Sequence, residues 1–253
     1  MPALVYTLTS RPLIFVGSRQ KLVRLAVVAE LNGIDVKGIL DHHYYGSVDQ
    51  ICQIPIIGDE RWLLDETNPL AQEWKRDCDF FVANWNDGSQ GLDRLDLGEL
   101  RQQRIDLVEQ VGVNVINLIH PDSKIRDIDS KYADIKLGRG IFIDDDCWID
   151  GTDNVEIGDY NVISTGCTVT HDVKLNKNVM VAPEVFLYGC EVGDNTFFGM
   201  FSKINYHKYK SISSITIGKN CTVWTGAEVI KSIPDNSIYT DTNRIFKKIK
   251  HAK

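Results

Sequence analysis

The tripeptide Thr170-His171-Asp172 sets a histidine against an acid in the C-terminal half, and that pair is the chain's best candidate for proton chemistry. A positioned imidazole removes a proton from an incoming amine or hydroxyl, an effect worth about 10²–10⁴-fold. A neighbouring carboxylate orients such a ring and steadies its charged form. The competing reading is an exposed histidine beside a solvated aspartate. Gly189 follows 18 residues after His171. A glycine lets a ligand approach the backbone closely, and its N–H can face a developing oxyanion; an ordinary turn glycine is the alternative.

A second set of candidates sits in the N-terminal half. Gly17-Ser18-Arg19 closes the apolar run Leu13-Ile-Phe-Val16, Asp41 closes Val36-Lys-Gly-Ile-Leu40, and Asn84 follows Asp79-Phe-Phe-Val-Ala83. In parallel sheets, ligands bind at the carboxyl ends of the strands. Arg19 can supply a two-pronged phosphate contact. Asp41 reads otherwise as a turn residue ending a strand.

Metal and thiol chemistry find less support. Cysteines stand singly at 52, 78, 147, 167, 190 and 221, with no Cys-x-x-Cys pair for a zinc knuckle or redox motif. They read as small buried apolar residues. His171 and His207 would give a zinc ion two ligands, which make neither a structural nor a catalytic site. No metal is expected.

The elements that must position these residues differ between the two halves. From residue 13 to about 118, strands alternate with helical stretches. The helices are Lys21 to Asn32, with Gly33 as its C-terminal stop, and Glu99 to Gln110, and the last strand is Val113–Leu118. That alternation predicts a small Rossmann-like parallel sheet with crossover helices.

After about residue 135 a period of six takes over. One aliphatic position per hexad runs Leu137, Ile143, Ile149, Ile157, Ile163, Val169, Leu175, Val181, Leu187, Val192, Phe198, Ile204, Ile217, Val223, Val229. Ile157 to Leu187 holds exact spacing; elsewhere the register slips three times. Hexapeptide repeats of this kind predict a parallel β-helix: three six-residue sides to a coil, each aliphatic stacked on its equivalents. Two slips mark corner insertions, at Gly151–Asn154 and Asn205–Ser214. His171 falls two residues after inward-pointing Val169, at a corner, with its ring facing outward. The junction, Ile119-His-Pro-Asp-Ser-Lys-Ile125, has no linker, so the domains read as 1–118 and 119–253.

Composition excludes some partners. Lys and Arg total 28 against 35 Asp and Glu, a net charge of −7, and the only basic cluster is the tail from Arg244 to Lys253. A general nucleic-acid partner is not expected. No apolar run approaches the roughly 18 residues of a membrane span, and no secretory signal is visible, so a soluble cytoplasmic protein is expected.

An N-terminal α/β domain, the Ile-His-Pro-x-Ser-x-Ile junction, hexads carrying Thr170-His171-Asp172, and the exit Val229-Ile-Lys-Ser-Ile-Pro-Asp-Asn-Ser237 together resemble the sugar acyltransferases. That group includes the nucleotide-amino-sugar N-acetyltransferases and the sialic-acid O-acetyltransferases. The resemblance runs from Leu13 to about Lys248. It implies a left-handed β-helix, a homotrimer, acetyl-CoA as cosubstrate, and a nucleotide-linked sugar whose amino group (less readily a hydroxyl) is acetylated. It makes His171 the base, Asp172 its orienting acid and Gly189 the acetyl-binding amide. It assigns the Gly17-Ser18-Arg19 loop and Asp41 to the nucleotide sugar, where the strand-end rule also puts Asn84, and Arg244, Lys247 and Lys248 to coenzyme A, unless that tail is simply solvated.

The sequence departs from the family at several points. Met180 replaces a second histidine, Glu184 follows Ala182-Pro183 where the family has glycine, and the first loop keeps one glycine. Two other readings stay open. One is an inactive scaffold that binds a sugar nucleotide or a partner. The other is a trimeric metal-dependent hydratase resembling the gamma-class carbonic anhydrases, although the residues directly after His207, Lys-Tyr-Lys-Ser-Ile, hold no histidine to complete their ligand set.

Overall fold

A computed structural model describes residues 9–18, 22–83, 95–126, 135–151, 154–205, 214–240 and 242–247. The chain forms two compact units, Met1–Pro121 and Asp122–Lys253. No helix among the described residues is long and apolar enough to cross a membrane.

The first unit runs β1 (Leu13–Val16), α1 (Leu22–Leu31), β2 (Val36–Leu40), β3 (Gln50–Ile51), β4 (Ile54–Gly58), α2 (Pro69–Asp77), β5 (Asp79–Val82) and α3 (Leu95–Val111). Its sheet has the order β3-β4-β2-β1-β5, parallel throughout except for the β3–β4 hairpin. All four residues of β1 and of β5 are buried, as strands covered on both faces must be. Asn68 starts α2 by accepting from the Leu70 and Ala71 N–H groups, with Pro69 in the first turn.

The β3–β4 hairpin, a 3₁₀ turn over Glu60–Leu64 and the helix α2 were not foreseen. The hairpin is short, with Cys52 and Gln53 in the left-handed region at its turn. The helix α2 is polar, burying only Ala71 and Trp74. The expected strand Val113–Leu118 reduces to a parallel bridge between Phe80 and Val115 and the two-residue strand Leu118–Ile119. Asn114 turns its side-chain amide to Asp79 at 2.8 Å.

The second unit coils through three sides. The first side holds Lys124–Arg126, Trp148–Asp150, Lys203–Asn205, Glu228–Val229 and the leading halves of the long strands Thr168–Leu175 and Phe186–Val192. The second holds Ile135–Leu137, Val155–Ile157, Ile215–Ile217 and the trailing halves of those long strands. The third stacks Phe142–Ile143, Val162–Ile163, Met180–Val181, Phe197–Phe198, Thr222–Val223 and Ser237–Tyr239. Every pairing between these strands is parallel. Ile245–Lys247 then folds back antiparallel on the last strand of the third side.

The pairing shows why the hexad works. Ile149 lies beside Val169, Val169 beside Leu187, and Leu187 beside Ile204, so successive coils take 20, 18 and 17 residues. Every aliphatic position of the hexad except Leu137 is buried. Leu187 sits in the middle of this column with no exposure. Truncating it leaves a cavity walled by the coils above and below, which cannot collapse without losing their ladders. Leu187→Ala is therefore expected to cost about 2–5 kcal/mol in denaturant unfolding.

The corners carry the strain. Tyr160, Asn178, Asn195, Asn220 and Asn236 recur with φ between 55° and 60°. Asparagine tolerates that left-handed backbone better than most residues. Four of these corners are cross-linked in pairs by amides: Asn178 Nδ2 donates to Asn195 Oδ1 at 2.8 Å, and Asn220 Nδ2 to Asn236 Oδ1 at 3.2 Å. Five cysteines are buried, as expected, but Cys52 is exposed at the hairpin turn.

Candidate active site

His171 and Asp172 occupy the bend between the first and second sides of the coil. Both residues are left-handed, with φ of 47° and 54°. The pairing register shifts here: Thr170 lies beside Tyr188 and Val173 beside Cys190, so two residues on one strand face only Gly189 on the next. This is a β-bulge, a device that re-aims side chains and is often found beside active sites. Gly189 is itself left-handed, with φ 60°. The bulge thus sets His171, Asp172 and the Gly189 backbone side by side at one corner.

The rings and charges at this corner are defined. The His171 imidazole is half-buried, and its centroid lies 4.9 Å from that of Tyr188 with the planes tilted by 48°. Asp172 is exposed, and its Oδ1 accepts a long hydrogen bond of 3.5 Å from Asn154 Nδ2 in the preceding coil. Cys190, next to Gly189, is fully buried, and burial pushes its thiol up to about 12. It stays protonated at neutral pH and is no acyl-accepting nucleophile. The Cys167 thiol is likewise raised, first by its bond to Cys147 and then by burial. Met180 lies on the third side of the coil and is buried. Arg244 and Lys247 are exposed beside the third side's last strand.

In the first unit, Gly17, Ser18 and Asp41 come together at the carboxyl ends of β1 and β2. Gly17 donates its N–H to Leu40 O at 2.8 Å. The Asp41 carboxylate is 1% exposed and heavily engaged. Its Oδ2 accepts from the N–H and the hydroxyl of Ser18, both at 2.8 Å, while Oδ1 accepts from the His43 N–H at 3.0 Å. The guanidinium of Arg104, from α3, stands 3.2 Å from Oδ1. The same arginine donates from Nε to Glu60 at 2.9 Å, and Glu60 also accepts from His42 Nδ1 at 2.6 Å and the His42 N–H at 2.5 Å. Asp41 therefore holds the first loop to the end of β2.

The only groups of potential metal ligands among the described residues belong to this cluster: Asp41, His42 and His43, or His42, Asp59 and Glu60. Their carboxylate oxygens are already committed to arginines, histidines and backbone N–H groups. Asp59 is bound by Arg61 through Nε at 2.9 Å and Nη2 at 2.5 Å. A divalent ion would have to displace a buried guanidinium. His43 titrates below the ordinary histidine value, first because of burial and then because of the adjacent His42 ring.

Arg104 and Glu60 were missed from the sequence. Arg101 and Arg104 share the spacing of Ile105 and Val108, and all four side chains are buried on one face of α3. Two arginines at apolar positions of a helix were the available signal. Of the remaining sequence candidates, Arg19, Asn84, Lys248 and His207 lie outside the described residues.

Neither a family model nor a curated protein sequence matches the chain. Solved structures do. Perosamine N-acetyltransferase from Caulobacter crescentus, in complex with CoA and GDP-perosamine, is 22% identical with a TM-score of 0.74 over 95% of this chain and 99% of its own. The acetyltransferase domain of PglB from Neisseria gonorrhoeae is 20% identical with a TM-score of 0.70, over 91% and 97%. WeeI from Acinetobacter baumannii is 17% identical with a TM-score of 0.69, over 93% and 99%. The likeness is one of fold. It covers 97–99% of each of the three neighbours.

Proposed function

We propose that this protein is an acetyltransferase that moves the acetyl group of acetyl-CoA to an amino group on a nucleotide-linked sugar. The observation that carries the reading is the bulge, which sets His171 and Asp172 opposite left-handed Gly189 in a fold shared with an acetyltransferase complexed with CoA and a GDP-sugar. In this reading His171 takes a proton from the sugar's amine as its nitrogen attacks the thioester carbonyl. The tetrahedral oxyanion accepts from the Gly189 N–H. The C–S bond then breaks, and the departing coenzyme A thiolate recovers the proton from the imidazolium. Asp172 steadies that imidazolium.

The remaining assignments belong to the same reading. The first unit is a Rossmann-like nucleotide-sugar domain, with Gly17, Ser18, Arg19, Asp41 and Asn84 assigned to the nucleotide sugar and Asp41 also holding the first loop. The second is a left-handed β-helix built of hexapeptide repeats, assembled as a homotrimer because a corner histidine on a prism needs a neighbour to close its pocket. Arg244, Lys247 and Lys248 lie toward coenzyme A, and the protein acts in the cytoplasm without a metal.

A free-thiol release assay with acetyl-CoA across UDP-, dTDP- and GDP-linked amino sugars tests this. Acceptor-dependent thiol release with at least one of them is expected. No release with any acceptor would overturn the reading in favour of an inactive scaffold. Turnover with an unlinked sugar would show that the first unit binds something else.

A further inference from the structure

Tyr188 is the residue next to the corner whose role neither the hexad nor the bulge explains. It lies on the strand Phe186–Val192, where Leu187 points into the column and Phe186 and Tyr188 point out. Their rings are nearly parallel, 8° between planes with centroids 6.5 Å apart. Tyr188 pairs with Thr170, the residue immediately before His171. Because His171 is left-handed, its ring swings off its own strand toward the next one and rests against Tyr188.

From this contact we propose that Tyr188 is a positioning residue that holds the His171 imidazole in its working orientation. The proposal rests on the acetyl-transfer reading above. A half-buried ring at a strained corner has several rotamers open to it, and each unproductive one lowers the fraction of enzyme ready to accept a proton. An adjacent aromatic ring selects among them through edge and face contacts. Tyr188 is itself held in place, since Phe186 packs alongside it and Leu187 is anchored in the column. The charge that arrives on the imidazole during proton transfer also meets a π cloud rather than an aliphatic wall. Contact with the ring, not the hydroxyl, does this work.

That distinction sets the experiment. Tyr188→Phe keeps the ring and Tyr188→Leu removes it. Full-length protein is labelled at histidine with ¹³C, and the His171 ring signal is assigned by its loss in His171→Ala. The ring-current-shifted signal is expected to persist in Tyr188→Phe and to move in Tyr188→Leu. In the thiol-release assay, Tyr188→Phe should retain the wild-type kcat. Tyr188→Leu should lose about three- to tenfold in kcat, the range of an aromatic pair, with KM for acetyl-CoA unchanged and the protein still fully folded at the assay temperature. A Leu variant with wild-type kcat, or one that loses only through a raised KM or through unfolding at the assay temperature, would overturn the proposal. So would a Phe variant as impaired as Leu. Absence of turnover in the wild type would remove the acetyl-transfer reading itself, and with it any base to position, while the ring signal would still report the contact.

Discussion

His171→Ala is expected to lower kcat by about 10²-fold or more while leaving acetyl-CoA binding and the melting temperature intact. The side chain sits outside the buried column, so its loss opens no cavity, and its backbone already adopts a left-handed turn anchored on both sides by ladder pairs. A histidine base imposes an acidic limb on the pH dependence of kcat, because protonated imidazole accepts nothing. That limb should vanish in the variant. If it persists unchanged, it belongs to the substrate or to another residue, and the assignment of His171 fails. Asp172→Asn should cost less than His171→Ala, since the carboxylate is exposed and acts through the ring rather than on the substrate.

The largest stability effect is expected from Arg104→Ala. Arg104 is 2% exposed and stands between two buried carboxylates, at 3.2 Å from Asp41 and 2.9 Å from Glu60. Removing one member of a buried charge cluster leaves its partners desolvated and uncompensated, which costs about 3–5 kcal/mol. Gly17 lies against the same group: its φ of 84° favours glycine, and a Cβ there would also clash with the Arg104 guanidinium. Denaturant unfolding of Arg104→Ala should show the loss in the first unit. Arg104→Ala combined with Asp41→Asn and Glu60→Gln should recover part of it, because the buried negative charge is then gone. Recovery of nothing would mean that the arginine's packing, not its charge, supports the loop.

How much of this was readable beforehand follows from the physics of each part. The coil was legible because a buried column repeats the same demand every six residues, and Val169, Leu187 and Ile204 answer it with aliphatic side chains. The corner was half legible. The hexad's step from Leu187 to Val192 is one residue short, and the structure shows why: Gly189 alone spans a bend that His171 and Asp172 span together. The slip is visible in the spacing, but spacing alone does not report a bulge. Tyr188 was invisible because its contact depends on the left-handed turn of His171, and no spacing rule reports a backbone dihedral angle. The ion cluster escaped for a different reason. Asp41, Glu60 and Arg104 are brought together by three elements distant in sequence, and only the apolar spacing of α3 hinted that an arginine would be inside. The short hairpin and the polar helix α2 carried too few buried residues to leave a period.

The burial of the cysteines has a practical consequence for measuring this chemistry. Coenzyme A release is read with reagents that consume thiols, and six cysteines per chain would ordinarily compete for them. Here Cys78, Cys147, Cys167, Cys190 and Cys221 are buried, and only Cys52, at the tip of the β3–β4 hairpin, is exposed. A native preparation should consume one equivalent of reagent per chain at once and then fall silent, giving a flat baseline for turnover. The other five should become reactive only as their surroundings open. The same colour change, followed in denaturant without substrate, would then count thiols as each part of the molecule comes apart.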